Sequence, residues 1–193
     1  MEAVCVFCGS REGSRPAYAE ATRSMGKEIA RRGLGLVYGG GRVGLMGAVA
    51  DAVLEEGGEA VGVIPKALVS KEIAHAGLTK LHVVGSMHER KMMMADLSDG
   101  FVTLPGGYGT LEEFFEILSW AQLSIHEQPC GLLDVDGFWE PLSTLFDHAV
   151  TEGFVHLDHR SLVLTEGDSR VLLERMEHYT PPKTKKWIGP REL

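Results

Sequence analysis

The chain alternates short unbroken apolar runs with longer stretches of helical periodicity, and glycine sits at most of the junctions. The runs at 3–10, 34–41, 59–65, 80–85, 101–107, 129–135 and 161–167 predict strands. Segments 17–33, 44–58, 87–100, 110–125, 138–153 and 169–179 carry apolar positions at helical spacing, several of them closed by glycine. Pro141 falls in the first turn of the fifth of these, where proline is tolerated. Residues 66–79 predict a loop with a short helix. Residues 180–193, with their prolines and lysines, predict a partly disordered tail.

Strands that are apolar at successive positions are covered on both faces. Their alternation with helices gives an open, mostly parallel sheet with helices on both sides, a doubly wound α/β domain spanning 1–179. The 193 residues, 44% of them hydrophobic, supply the core of one domain. No run approaches the roughly 20 apolar residues of a spanning helix, so no membrane partner is expected. The opening "MEAVCVFCGS" has an acid where a secretion signal carries positive charge. A net charge of −8 argues against general nucleic-acid binding. Cys5, Cys8 and Cys130 suit a reduced, cytoplasmic protein. Cys5 and Cys8 form a C-x-x-C, but within one strand that spacing sends them to opposite faces, and they read as buried thiols.

In such sheets ligands bind at the carboxyl ends of the strands, near a topological switch point. Gly9-Ser10, Gly39-Gly40-Gly41, Gly85-Ser86 and Gly106-Gly107-Tyr108-Gly109 all fall at that edge. The last belongs to "LPGGYGTLEE", 104–113, where glycine lets backbone N–H groups approach an anion and a helix start adds partial positive charge. A glycine loop before a helix also serves plain strand–helix packing, so the loop alone is a weak signal. "GGGRVGLMG" has the spacing Gly39-x-Gly41-x-x-Gly44 of a dinucleotide fingerprint. It follows the second strand and lacks the later acid, so that fingerprint is not met. Thr110-x-x-Glu113 reads equally as a capping box or as a functional carboxylate.

Arg90 and Lys91, in the first turns of the helix after the fourth strand, oppose the helix dipole, which makes sense if they face an anion. Both that helix and the Thr110 helix start at the carboxyl edge of the sheet, so Arg90 and Glu113 can converge over one pocket. "HLDH", 156–159, lacks metal-ligand spacing; no metal and no cofactor are expected.

Taken together, "PGGYGTLEE", "MHERK" and "GGGRVGLMG" resemble the Lonely Guy (LOG) family of cytokinin riboside 5′-monophosphate phosphoribohydrolases, over nearly the whole chain. Relatives also carry a lysine decarboxylase label, for which no lysine here has a recognisable pyridoxal setting. The resemblance implies a Rossmann-like fold, a homodimer at minimum, and hydrolysis of the N-glycosidic bond of a nucleoside 5′-monophosphate. It implies Arg90 and Glu113 as the catalytic pair. It places nucleotide contacts on Glu72, Arg90, Lys91, Gly107, Tyr108, Gly109, Thr110, Leu111, Glu112 and Glu113. Ser119 stands where the family usually has threonine. Gly106, Gly9, Ser10, Gly40 and Gly41 join the expected binding set from the loops at the strand ends. A broader purine 5′-nucleotide nucleosidase and a non-catalytic nucleotide or cofactor carrier remain the rival readings.

Overall fold

Every expected strand forms. In the computed structural model, which describes residues 1–69 and 74–182, they are β1 (Ala3–Phe7), β2 (Gly35–Tyr38), β3 (Ala60–Pro65), β4 (Lys80–Val84), β5 (Phe101–Thr103), β6 (Cys130–Leu133) and β7 (Val163–Glu166). They make one sheet in the order β4-β3-β2-β1-β5-β6-β7, and each neighbouring pair is parallel. The helices are α1 (Pro16–Arg31), α2 (Gly44–Glu55), α3 (Met87–Asp96), α4 (Tyr108–Gln122), α5 (Glu140–Thr151), the short α6 (Leu157–Arg160) and α7 (Ser169–Glu177).

The apolar runs work as expected for a sheet covered on both faces. Val4, Val6 and Cys8 pack with α1, α2 and α7 through Met25, Ile29, Val49 and Leu172. Cys5 and Phe7 enter the opposite cluster with Met94 of α3 and Ile117 of α4. The C-x-x-C thus divides between the two faces, and all three thiols are buried and free. Phe114 of α4 packs with Leu132 and Trp139 in a third cluster.

The chain builds outward from β1 through β2 and β3 to β4, then returns across β1 to add β5, β6 and β7. Direction therefore reverses between β1 and β5, and the loops that leave those two strands part to form a crevice. Two boundaries differ from expectation. β5 ends at Thr103, although the Leu104 N–H still donates to the Phe7 carbonyl at 2.9 Å and the Pro105 carbonyl still accepts from the Gly9 N–H at 3.1 Å, and α4 starts at Tyr108, two residues early, with Gly107 as its N-cap. The "HLDH" segment, expected as loop, is α6, where His156 Nδ1 accepts from the Asp158 N–H at the N-cap. Of the tail, residues 180–182 alone fall within the described set.

Candidate functional site

The early start of α4 decides what Glu113 does. With Gly107 at the N-cap, Thr110 is the third helical residue and Glu113 the sixth, so Thr110-x-x-Glu113 is not a capping box. A cap of that kind sits one helix earlier. Ser86 Oγ accepts from the Glu89 N–H at 3.1 Å, and the Glu89 carboxylate accepts from the Gly85 N–H at 2.6 Å. Glu113 instead turns inward, 9% exposed, and lies 3.9 Å from Arg90 Nη1.

Arg90 is 5% exposed and held by backbone. Its Nε donates to the Val63 carbonyl at 3.1 Å, and its Nη2 donates to the Gly39 carbonyl at 3.2 Å. Those carbonyls belong to β3 and to the residue just past β2, so the sheet edge fixes the guanidinium in place. Gly39 is glycine because of it: a Cβ there would lie 1.9 Å from Arg90 Nη2. Both charges are felt at the end of β1. Burial pushes the Cys8 thiol well above its ordinary value, the Glu113 carboxylate pushes it further, and the Arg90 guanidinium pulls it partly back.

Beside the pair, at the β1/β5 switch point, is a cavity of about 540 Å³ lined by Gly9, Ser10, Arg11, Tyr18, Gly106, Gly107, Tyr108 and Phe138 among others. Arg90 and Glu113 do not line it. Two groups of glycine differ there. In "GGGRVGLMG" the fold explains the glycines: Gly39 makes room for Arg90, and Gly44, at φ +60°, has a hypothetical Cβ 2.4 Å from the Ser10 backbone. Gly106 is likewise pressed by Thr110 Oγ1, 2.1 Å from its would-be Cβ. Gly107 and Gly109 have nothing within 4 Å of that position and no positive φ. Packing does not require glycine at these two positions, which leaves the bare N-terminus of α4 open to an anion.

The remaining expected contacts divide. Tyr108 is 92% exposed at the cavity mouth. Thr110 is buried against Gly106, and Leu111 packs on the Phe114 cluster. Gly40 and Gly41 lie with Gly39 behind the pair, outside the cavity lining. Lys91 turns to α4, where its Nζ donates to Glu112 and to Glu116. Burial opposes its charge, but the hydrogen bonds to Glu112 and Glu116 outweigh that and hold the ammonium above its ordinary value. A protonated amine is not a Schiff-base nucleophile. Ser119 lies about 9 Å along α4 from Glu113 and about 120° around it. Its hydroxyl donates to the Phe115 carbonyl at 2.7 Å, and it lines a separate cavity of about 180 Å³ with Phe146 and Arg160. Glu72 lies outside the described residues.

Sequence reasoning did not place Gly39 as an acceptor for Arg90, nor Tyr18 and Phe138 in the cavity wall. The first glycine in "GGG" could have flagged crowding, but a carbonyl acceptor leaves no mark in a sequence. No helix among the described residues is long and apolar enough to cross a membrane.

The geometry defines a doubly wound α/β protein with a crevice at the switch point, the place where ligands bind in sheets of this class. A family model described as "Possible lysine decarboxylase" matches residues 46–176. The chain is 47% identical to the rice protein "Probable cytokinin riboside 5'-monophosphate phosphoribohydrolase LOGL1" over 188 residues, 97% of this chain and 83% of that one. It is 47% identical to rice "Cytokinin riboside 5'-monophosphate phosphoribohydrolase LOG", covering 92% of this chain and 75% of the relative. With Arabidopsis LOG4 the identity is 44%, over 92% and 83%. Among solved structures, TM1055 superposes with a TM-score of 0.70 at 21% identity, over 93% of this chain and 100% of that one. The molybdenum cofactor carrier protein of Chlamydomonas reinhardtii does so with 0.69 at 19%, over 92% and 99%. These two likenesses speak to the fold alone. The chain belongs to the Lonely Guy family of cytokinin riboside 5′-monophosphate phosphoribohydrolases.

Proposed function

We propose that this chain hydrolyses the N-glycosidic bond of cytokinin riboside 5′-monophosphates and of AMP, releasing free base and ribose 5-phosphate. The observation that carries the reading is the meeting of Arg90 and Glu113, on consecutive helices α3 and α4, at 3.9 Å near an anion-receptive crevice. Relatives named for that reaction, at 44–47% identity over most of the chain, support it.

In this reading the free N–H groups at the start of α4, from Gly106 to Thr110, hold the 5′-phosphate together with Gly9 and Ser10. Glu72, Lys91, Leu111, Glu112 and Ser119, which the family resemblance suggests, and Gly40 and Gly41, from the loop after β2, complete the expected nucleotide-binding set. The bond between C1′ and the base breaks through an oxocarbenium-like sugar. Glu113 stabilises that cation and orients the attacking water. The water oxygen bonds to C1′, while the base leaves with the bonding electrons and is protonated. Arg90, fixed by two carbonyls, acts by supplying positive charge beside Glu113, which favours the ionised carboxylate. Binding energy from the remote phosphate orients the reacting bond.

The enzyme of this reading is cytoplasmic and a homodimer. β4 is an edge strand with Leu81 and Val83 exposed, and Met92 of α3 is exposed on the other side of the sheet, so apolar side chains at this edge are available for a second copy to cover. Light scattering after gel filtration tests the dimer.

Incubation with AMP, GMP, N6-isopentenyl AMP and adenosine, followed by chromatography, tests the activity. The monophosphates should release base and adenosine should not. No base from any nucleotide would point to a carrier, and equal rates on AMP and GMP would point to a salvage nucleosidase. Glu113→Gln should lower turnover by about 10² or more, while the melting temperature falls by a few degrees at most. Retained turnover would remove Glu113 from the chemistry.

A further inference from the structure

The guanidinium of Arg90 is only as well placed as the Gly39 carbonyl that receives it, and the turn carrying that carbonyl is tied down from its other side. The His75 N–H donates to the Gly40 carbonyl at 3.0 Å, and Gly41 forms an isolated antiparallel bridge with Ala74. Gly40 itself, at φ +75°, is wedged between Leu81 and Ile64, so the turn has little freedom of its own.

The His75 side chain then reaches a third element. Its Nδ1 accepts from the Gly77 N–H at 3.1 Å, which leaves the proton on Nε2, and Nε2 donates to Asp51 Oδ1 at 2.9 Å. The imidazole is buried, while the Asp51 carboxylate is half-exposed on α2. α2 is anchored in turn at its start, where the Leu45 N–H donates to the Gly9 carbonyl in the cavity wall at 3.0 Å. A buried histidine with both ring nitrogens engaged therefore links the turn behind Arg90 to the helix whose start is pinned beside the cavity.

We infer that His75 is a positioning residue: through the Gly40 carbonyl and Asp51 it sets the 39–41 turn, and so the Arg90 guanidinium, against Glu113. It touches neither Arg90 nor Glu113. The inference rests on the proposed role of that pair in hydrolysis. Replacing the imidazole with an apolar ring removes the tether to Asp51 and the acceptor for Gly77; the backbone hydrogen bond to Gly40 remains, but the segment that makes it is no longer held to α2. Since a misplacement of about 1 Å can cost 10²-fold in rate, a loss in kcat is the expected sign, with KM changed less because the N–H groups at the start of α4 are not part of this linkage.

The experiment compares His75→Phe, His75→Gln and Asp51→Ala with the native chain. Two readouts are used: kcat and KM for AMP, and the Arg90 Nε–H signal in ¹⁵N NMR, assigned by its absence in Arg90→Lys. His75→Phe should lower kcat by about 10-fold or more with KM within about 3-fold, and should shift the Arg90 signal or speed its exchange. His75→Gln, which can still donate to Asp51, should recover most of both. Asp51→Ala, changed on the half-exposed side, should move both readouts in the same direction if His75→Phe does not fold. An unmoved Arg90 signal with native kcat in His75→Phe or Asp51→Ala would overturn the proposal. So would a raised KM at native kcat, or a lower melting temperature with both readouts unchanged. If the native chain releases no base from any nucleotide, the functional reading fails, and the NMR comparison still decides whether His75 braces Arg90.

Discussion

A single methyl group placed behind Arg90 offers the sharpest test of how this site is built. In Gly39→Ala the new Cβ would lie 1.9 Å from Arg90 Nη2, 3.1 Å from Cζ and 3.3 Å from Met46 Sδ. Gly39 does not have positive φ, so the backbone accepts alanine and the whole effect is steric. The guanidinium must withdraw by about 1.5–2 Å to reach an ordinary contact distance, which breaks the hydrogen bond to Gly39 and strains the one to Val63. A hydrogen bond to a charged group contributes about 1.5–3 kcal/mol, and overpacking costs about 1–3 kcal/mol. Partial relaxation leaves an expected loss of about 2–4 kcal/mol, a fall in Tm of roughly 4–16 °C for a chain of this size. The same displacement moves the charge beside Glu113 and should lower AMP turnover by about 10². Thermal melts followed by circular dichroism, with base release assayed well below the variant's Tm, measure both. Gly107→Ala, where the added carbon meets nothing within 4 Å, is the steric control for the melts alone, because Gly107 belongs to the proposed phosphate site. Native Tm and turnover within about 2-fold in Gly39→Ala would show that Arg90 is not clamped there, and the argument for a fixed guanidinium would fall.

Gly109→Ala should separate binding from folding with opposite signs. Its Cβ meets open space at the second residue of α4, so Tm should hold or rise by about 1–4 °C, while KM for AMP rises by about 10-fold or more if the α4 N-terminus holds the phosphate. His126 gives a pH signature: burial holds it below its ordinary 6.5, against the hydrogen bond from its Nε2 to the Ile117 carbonyl. Its neutral form is therefore favoured in the fold, and that stabilisation is complete above about pH 6.5 and lost as pH falls through the folded value. Melts at stepped pH should show a smaller acid-side loss in His126→Gln than in the native chain. Burial pushes Cys130 up to about 12 and raises Cys5 and Cys8 further, so a thiol reagent at about pH 8 should label none natively and all three after unfolding.

The sheet was legible because seven apolar runs have no hydrophilic face to spare, and glycine marks where each leaves the edge. Boundaries were less so. "FVTLPGG" reads as one strand because Leu104 is apolar, yet Pro105 cannot donate to a ladder, so β5 ends at Thr103 and Leu104 and Pro105 keep one hydrogen bond each to the β1 side. "TLEE" matches the local pattern of a cap, but a cap is defined by where the helix starts, and Gly107 starts α4 earlier. Arg90 was expected to lean toward protein because it shares a face with Met94, and it is buried. Its neighbour Lys91 was expected at the nucleotide; its partners are Glu112 and Glu116, one turn apart on α4, a pairing that only the packing of α3 beside α4 creates. The Met92-Met93-Met94 run, expected as core, splits: Met94 is 1% exposed and Met92 49%. Helical rotation puts adjacent residues about 100° apart, so three in a row cannot all face inward.

What the sequence could least reveal is why Arg90 and Glu113 meet at all. At 3.9 Å the two charges are within ion-pair range of each other without a short hydrogen bond between them. The Val63 and Gly39 carbonyls take Nε and Nη2 from the sheet side, which leaves Nη1 as the edge nearest Glu113. Glu113 arrives independently, two turns into a helix whose start is set by Gly107 and whose inner face is set by Phe114 and Ile117. Fold geometry thus fixes the guanidinium and places the acid beside it before any ligand is bound. A charge already in position needs no reorganisation when positive charge develops on a sugar, which is the form of electrostatic help that lowers a barrier most. The two kinds of glycine fit the same logic: those behind Arg90 are required by the fold and hold the charge still, while Gly107 and Gly109 are not required by it and keep the helix start bare for an anion.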